Sequence, residues 1–263
     1  MKNNADIAAT WRSTLTIVIP TFNSVTDLPE CLKSVQSILG HLVGKTVFVV
    51  IQDGLSTDGT KEYAENINSN GISFVSEQDK GVYDAMNRAV ARTKTEWVYF
   101  LGSDDRLLPG FKVMLSQLNS TDHIYYGNVR LGSSAKRYDG SFSTVKLVFR
   151  NICHQSMFFP THVLKQHPYS LDYPIKSDWA SNIRLFASTT FQHVNVDVAL
   201  YNDNHGLSST YEDKQFKRDK AKLFHDFHGY WPKLLCDISP TITKIYHFAT
   251  RQKKKGLIEF KSI

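Results

Sequence analysis

The chain is poor in cysteine: it has 3 in 263 residues, Cys31, Cys153 and Cys236, far apart and odd in number. Such a set suits reduced thiols and supplies neither a disulfide framework nor a metal-ligand pair. No apolar run approaches the roughly 18 residues of a transmembrane helix. Met1 to Ser13 is polar and lacks the apolar core of a secretory signal, which gives the expectation of a cytoplasmic protein. Internal repeats and low-complexity linkers are missing, so one domain with a C-terminal extension is expected. There is no G-x-G-x-x-G after the first apolar run and no G-x-x-x-x-G-K-[ST]. The dinucleotide fingerprint and the P-loop are therefore excluded, and any phosphate would be held through a metal rather than a glycine loop.

What is present is globular in character, with 41% hydrophobic and 12% aromatic residues. The net charge of +6 suits nucleic acid, an anionic membrane surface or phosphorylated substrates. The densest basic cluster, Arg251 to Lys255, lies among Ile245, Tyr246, Phe248, Leu257, Ile258 and Phe260. That mixture argues for peripheral contact of residues 241–263 with the inner face of an anionic membrane, and against a nucleic-acid partner. A plain solvated tail is the commoner outcome for an isolated basic cluster.

Short apolar runs alternate with helical patterns. Residues 15–19 form a first strand that Pro20 is expected to end, because proline cannot continue a central strand. A helix follows with Leu28, Leu32, Val35 and Leu39 at helical spacing, capped by Thr26 or Asp27. Residues 47–51 and 72–75 are further strands, each followed by a helix, the first ending at Ile67 and the second running from Val82 to about Thr93. Trp97 to Leu101 is a continuous apolar run, a strand buried on both faces. This alternation predicts an α/β fold with a parallel, doubly wound sheet. The second half is less regular. It gives helices near 111–118 and 146–150, a strand over 123–130, and a loop entering a buried strand over 151–159. A helix opened by Ser177-Asp178-Trp179, a strand over 191–201 and a charged helix over 212–227 complete it.

The strands end in polar residues at one edge: Thr21 and Asn23, then Asp53, Asp79, and the adjacent pair Asp104 and Asp105. That carboxyl edge is where open α/β sheets bind ligands. Two neighbouring carboxylates repel each other unless a cation sits beside them, and a divalent metal carrying a phosphorylated substrate meets that need. An acidic turn is the plain alternative for one such stretch. Independent turns would not be expected to converge on one edge.

Four ordered motifs carry a resemblance. They are Ile17-Val18-Ile19-Pro20-Thr21-Phe22-Asn23, Gln52-Asp53-Gly54 with Ser56 to Thr60, Asp79-Lys80-Gly81-Val82-Tyr83-Asp84-Ala85-Met86-Asn87, and Leu101-Gly102-Ser103-Asp104-Asp105. With the weaker His154 to Phe159 and Ser177-Asp178-Trp179, the chain resembles the family 2 glycosyltransferases of the GT-A fold, over about residues 15 to 210. The resemblance implies a Rossmann-like, mostly parallel central sheet flanked by helices. It implies a nucleotide-sugar half at 15–108, an acceptor half at 109–210, a tail at 1–14 and a C-terminal helical extension at 211–263.

It further implies inverting transfer from a nucleotide-sugar donor, usually a uridine diphosphate sugar. The acceptor would be a saccharide or a polyprenyl-diphosphate-linked saccharide in bacterial capsule, exopolysaccharide or O-antigen assembly. Pro20, Thr21, Phe22 and Asn23 would line the nucleotide pocket, and Asp53 would contact the base. Asp79, Lys80 and Gly81 would border base, ribose or phosphate, supported by Asp84 and Asn87. Ser103 would join the donor site. Asp105 would be the direct ligand of Mn²⁺ or Mg²⁺, and Asp104 its ribose-side or metal-supporting neighbour. Asp178 matches the family's general base, although Ser177 stands where glutamate is usual. The loop of His205, Gly206 and Ser208 resembles one that closes over the diphosphate.

The chemistry asks for these residue types. The leaving diphosphate needs a hard cation on oxygen ligands, and the acceptor hydroxyl needs a base, typically giving about 10²- to 10⁴-fold. Competing readings remain for single residues. Asp178 could be a plain helix cap; His154 is expected as a wall of the acceptor or donor pocket, with a hydrogen-bonded structural histidine as its plain alternative; and Trp179 is a core side chain or an acceptor-sugar platform rather than catalytic. A sugar-nucleotide nucleotidyltransferase is disfavoured because the first loop is Pro-Thr-Phe-Asn and not rich in glycine and cations. The alternative for the whole chain is a non-catalytic nucleotide-sugar binder or scaffold, against which Asp104, Asp105 and Asp178 argue. Oligomeric state is left open.

Overall fold

The structure, a computed structural model, describes residues 13–67, 69, 71–138, 140–204 and 211–238. Its framework is a nine-stranded sheet in the order β3-β2-β1-β4-β8-β6-β9-β5, with β7 paired to β6. The first half is the expected alternation: β1 (Leu15–Thr21), α1 (Leu28–Leu39), β2 (Val47–Asp53), α2 (Thr60–Asn66), β3 (Ile72–Ser76), α3 (Val82–Arg92) and β4 (Trp97–Phe100). These four strands are mutually parallel, so their C-terminal ends share one edge.

Alternate strand residues feed two cores. Leu15, Ile17, Ile19, Trp97 and Tyr99 enter one, with α1. Val18, Val98 and Phe100 enter the other, with α3. Burial on both faces is why these strands are continuous apolar runs rather than alternating ones.

Pro20 does not end β1. It pairs with Gln52, and Thr21 pairs with Asp53. Val18 turns its carbonyl to Leu101 N, so the alternation aims Pro20 at the same side, where the β4 ladder has already stopped at Val18 and Phe100. The missing proline N–H forfeits no ladder bond. The cap of α1 also differs from expectation. Asp27 stands at the N-cap but its side chain accepts from Thr26 Oγ1 at 3.3 Å, not from a helix N–H.

The second half continues with β5 (Arg106–Leu107), α4 (Gly110–Leu115), β6 (His123–Leu131), β7 (Arg137–Tyr138) and α5 (Thr144–Phe149). A 3₁₀ turn (His154–Ser156), β8 (Met157–Pro160), α6 (Thr161–Gln166), α7 (Ser177–Ser188), β9 (Thr190–Tyr201) and α8 (Lys214–His228) follow, and a further helical run occupies 230–238. Here the sheet turns: β8 runs antiparallel to both β4 and β6. β5 then pairs antiparallel with β9, so the chain just after Asp105 is bound to the end of β9. Phe216 and Phe224 of α8 and Cys236 belong to the second core. The basic cluster at 251–255 and the rest of the proposed membrane segment lie outside the described residues, as does His205.

Candidate active site

Asp105 is 1% exposed, on the turn that leaves β4. Its Oδ1 accepts the Asn202 N–H at 2.8 Å and its Oδ2 the Gly102 N–H at 3.1 Å. Gln155 adds a side-chain hydrogen bond. Burial, followed by the charge of Asp104, pushes the Asp105 carboxyl up to about 7. Asp104 is half-buried and also raised, mainly by burial, with the Asp27 carboxylate adding to it; the Asn202 side chain bonds it. The nearby cation does not neutralise the pair by direct contact, because Arg106 Nη1 donates to the backbone oxygen of Asp105.

Asp105, expected as the direct metal ligand, faces inward onto backbone amides, and Asp104 is the more accessible carboxylate. No group of three or more His, Cys, Asp or Glu side chains that could hold a metal occurs among the described residues. The donor set fits a hard divalent cation: two adjacent carboxylates both raised by desolvation, Asp105 further by the charge of Asp104 and Asp104 by that of Asp27. Mg²⁺-type sites are commonly held by one or two carboxylates, with substrate phosphates and water completing the shell.

The loops at the ends of β1 and β2 are tied to one another. Asn23, at φ 50°, accepts Thr57 N at 3.0 Å, and its own N–H donates to Ser56 Oγ at 2.8 Å. Phe22 is 65% exposed beside them and leaves an aromatic face open at the β1 end. Thr21 Oγ1 donates to the Gln52 carbonyl, and Ser103 Oγ bonds Ser24 Oγ at 2.9 Å. Asp53 is the residue expected to contact the base. It is 0% exposed, and its carboxylate takes Ser76 Oγ at 2.7 Å, Ser56 N at 3.0 Å and a short bond from Ser56 Oγ. With these bonds the carboxylate braces the loop. Pro20 borders the same end and is partly buried.

At the β3 end, Asp79 Oδ1 accepts Gly81 N at 2.8 Å, and Asp84 Oδ2 accepts Lys80 N at 3.0 Å and Arg88 Nε at 3.1 Å. Gly81 has φ 108°, in the region that favours glycine, and starts α3. A Cβ on Gly54 would sit 2.8 Å from Asp79 Oδ2, so the β2 turn and Asp79 are closely packed. Asn87 clamps Tyr169 from both sides, donating to its carbonyl at 2.8 Å and accepting its N–H at 2.9 Å. Its role is structural support.

Asp178 lies in the first turn of α7, but its carboxylate caps nothing. Oδ1 accepts the Tyr83 hydroxyl at 2.8 Å and Oδ2 accepts Asn151 Nδ2 at 2.7 Å. Asn151 is itself held by Asn182 Nδ2 at 2.9 Å. Burial raises the Tyr83 hydroxyl well above its usual value, helped by Asp178, so it stays a donor. His154 stacks on Phe100 with centroids 4.9 Å apart and bonds the Tyr169 hydroxyl at 2.8 Å. Its ring is packed among the aromatic side chains of Phe100, Phe159 and Tyr169. Trp179 is partly buried against the second core, with Nε1 donating to the Leu147 carbonyl.

The two carboxylate centres meet through one short segment. Asn151 bonds Asp178 while Gln155 bonds Asp105. Between them Cys153 feels both charges: burial raises its thiol most, then Asp105, and to a lesser degree Asp178. Four residues of extended chain reach at most about 14 Å, which bounds the separation of these two supports. Tyr83, Asn151, Gln155 and Asn202 had no assigned role in the sequence. Gln155 and Tyr83 stood inside recognised motifs, but Asn202 reaches Asp105 across 97 positions and no local pattern marks it.

Residues 16–171 match the model of glycosyl transferase family 2. A "PGL/p-HBAD biosynthesis glycosyltransferase" of Mycobacterium tuberculosis is 37% identical over 213 residues, covering 76% of this chain and 81% of the relative. Among solved structures, Staphylococcus aureus TarS 1–349 in complex with UDP-GlcNAc superposes with a TM-score of 0.63 at 14% identity, over 81% of this chain and 65% of that one. The mannosyltransferase PcManGT of Pyrobaculum calidifontis, in complex with GDP-Man and Mn²⁺, gives a TM-score of 0.55 at 16% identity, over 82% of this chain and 63% of that one. The chain thus spans somewhat less than two thirds of these structural neighbours.

Proposed function

Because the chain belongs to glycosyl transferase family 2 and is a glycosyltransferase of the GT-A fold, we propose that it transfers a sugar, with inversion, from a nucleotide-sugar donor to a saccharide or lipid-linked saccharide. The setting would be bacterial surface-polysaccharide assembly. A UDP-sugar is the donor class favoured by the four motifs, and TarS, whose fold it shares, has been solved with UDP-GlcNAc. One observation carries the reading: segment 151–155 supports Asp178 at one end and Asp105 at the other, so an acid-lined donor site and a separate carboxylate share one frame.

In this reading the nucleotide lies along the ends of β1, β2 and β3, against Phe22, Asn23 and the Asp79-Lys80-Gly81 turn. Asp105 and Asp104 are the carboxylates that would hold Mn²⁺ or Mg²⁺, Asp105 from the buried turn and Asp104 from the more accessible side. A bound cation would act as Lewis acid and template toward the diphosphate. Asp178 accepts the proton of the acceptor hydroxyl. Tyr83 and Asn151 aim its carboxylate, so the base is oriented before the acceptor arrives. A single displacement with the base opposite the leaving group inverts the anomeric carbon. The residual expectation for His205 is a diphosphate contact. The tail from 241 onward is proposed to contact an anionic bilayer.

The test is a screen of nucleotide sugars for hydrolysis and transfer, with Mn²⁺ and with EDTA. Asp178→Asn should lower kcat by about 10²-fold or more while UDP affinity holds. Asp104→Asn should remove the metal dependence of UDP binding, and EDTA should stop turnover. Undiminished transfer by Asp178→Asn would exclude it as the base.

A further inference from the structure

α7 carries the proposed base in its first turn but brings no side-chain cap of its own. Lys176 stands at its N-cap, and a lysine side chain has no acceptor to offer the orphan amides of a helix start. An acceptor comes from another element. Asp213, 5% exposed, is the N-cap of α8, where its Oδ1 takes the Phe216 N–H at 3.0 Å. Its second oxygen makes contacts that capping α8 does not require. Oδ2 accepts the N–H of Ile175 and the N–H of Lys176, both at 3.1 Å.

The Lys176 N–H and the Ile175 carbonyl belong to one peptide group. Asp213 holds its N–H end, and the Tyr83 hydroxyl lies 3.0 Å from its oxygen. The same hydroxyl lies 2.8 Å from Asp178 Oδ1. A peptide group is planar, so fixing its N–H also fixes the direction of its carbonyl. Amide bonds to a carboxylate are of the stronger, charge-assisted kind. Asp178 follows this peptide by two residues, and the first bond of α7, from Ala180 N to the Lys176 carbonyl at 3.0 Å, starts there. The α8 start is in turn seated on α7, with the rings of Phe216 and Trp179 5.3 Å apart. A continuous line therefore runs from Asp213 through the 175–176 peptide to Tyr83 and Asp178.

We propose that Asp213 is a positioning residue for sugar transfer. By holding the 175–176 peptide it sets the start of α7, and with it the direction of the Asp178 carboxylate. This rests on Asp178 being the base. It makes α8, which lies past the expected end of the glycosyltransferase domain at 210, a working part of the catalytic frame.

The test uses two substitutions that keep the α8 cap, since serine and asparagine are both favoured N-caps. Asp213→Asn replaces the second acceptor by a donor, and Asp213→Ser deletes it. In hydrogen exchange on the full chain, the Ile175 and Lys176 amides should lose about tenfold or more of their protection in either variant, as for a lost bond to a charged group. Residues 218–224 of α8 should keep theirs. Turnover is read as hydrolysis of UDP-glucose and of UDP-N-acetylglucosamine with Mn²⁺, water serving as acceptor. Asp213→Ser should lower kcat about tenfold and leave donor KM within about twofold. Tyr173→Phe, which frees Asp219 of α8 without touching the 175–176 peptide, should keep kcat. Asp213→Ser combined with Tyr83→Phe should be little slower than the slower single variant, because both act on one carboxylate. Unchanged exchange at 175–176, an equal loss of protection along α8, an unchanged kcat, a loss shared by Tyr173→Phe, or multiplying effects in the double variant would each overturn the proposal. The two readings fail separately. A wild type that turns over neither donor, or an Asp178→Asn variant that keeps its rate, counts against the proposed function, and the exchange result still decides whether Asp213 sets the start of α7.

Discussion

Asp178 is oriented by two donors that come from different elements, and neither belongs to α7. The Tyr83 hydroxyl lies 2.8 Å from Oδ1 and 3.0 Å from the Ile175 carbonyl, so it ties the proposed base to the segment entering α7 as well. Tyr83→Phe removes that tether and leaves the ring packed. It should lower kcat roughly tenfold with little change in donor KM, because an aligning contact is lost and not a ligand contact. Steady-state kinetics with donor and acceptor varied separately would check it; an unchanged kcat would mean that Asn151 aligns the base alone. At this scale the acidic edge was legible because each acid follows its strand directly. The division of labour was not. That Asp105 turns inward depends on the Asn202 amide and on Gln155, which arrive from β9 and from the turn before β8. Asp53 likewise announced a site in the sequence, yet Ser56 and Ser76 consume its carboxylate.

The elements that carry the acids are held by close backbone contact as much as by side chains. After Asp105 the chain makes β5 on the edge of β9, then starts α4 at Gly110. A Cβ there would meet the Asp197 carbonyl oxygen at 2.2 Å and its carbon at 3.0 Å, both backbone. Gly110→Ala should therefore cost about 1–3 kcal/mol of stability by forcing α4 and β9 apart. Urea unfolding would measure this, and an unshifted midpoint would show that the α4 start yields freely. The parallel half was readable because its connections are helices of recognisable period and its strands are continuous apolar runs. The reversal at β8 was not, since Met157 to Phe159 is as apolar as β4 and carries no mark of direction. Direction there follows from the connection: the 3₁₀ turn at His154–Ser156 and the Asn151 arm fix where the strand enters. Pro20 shows the same limit, because whether a proline breaks a strand depends on where the neighbouring ladder stops.

At the scale of the whole molecule, the second core is where α3, α5, α6, α7 and α8 cover one face of the sheet. His154 is set into that core between Phe100, Phe159 and Tyr169. Burial lowers its pKa below the ordinary histidine value, with the Asp178 charge opposing. The groups facing it are otherwise neutral aromatics, so the charged form has little to solvate it. The sign follows from proton binding. The unfolded chain takes up a proton at this residue near pH 6.5, and the folded chain takes it up only at lower pH. The contribution is therefore fully present above about pH 6.5 and is lost as the pH falls through the depressed folded value. Asp105, raised to about 7, gains stability on acidification over the same window and opposes this contribution in both proteins. The expectation is therefore a difference: on acidification the wild type should lose stability relative to His154→Phe. That variant keeps an aromatic ring against Phe100 and gives up the bond to the Tyr169 hydroxyl. Its absolute stability is expected to be lower at neutral pH, by about 1–3 kcal/mol for the orphaned hydroxyl. The readout is the slope of unfolding free energy against pH, taken from urea titrations at several pH values. If both proteins changed stability at the same rate between about pH 7 and pH 5, the proton uptake would belong to other groups, and burial at the β4 end would not be coupling the candidate site to the folding of the second core.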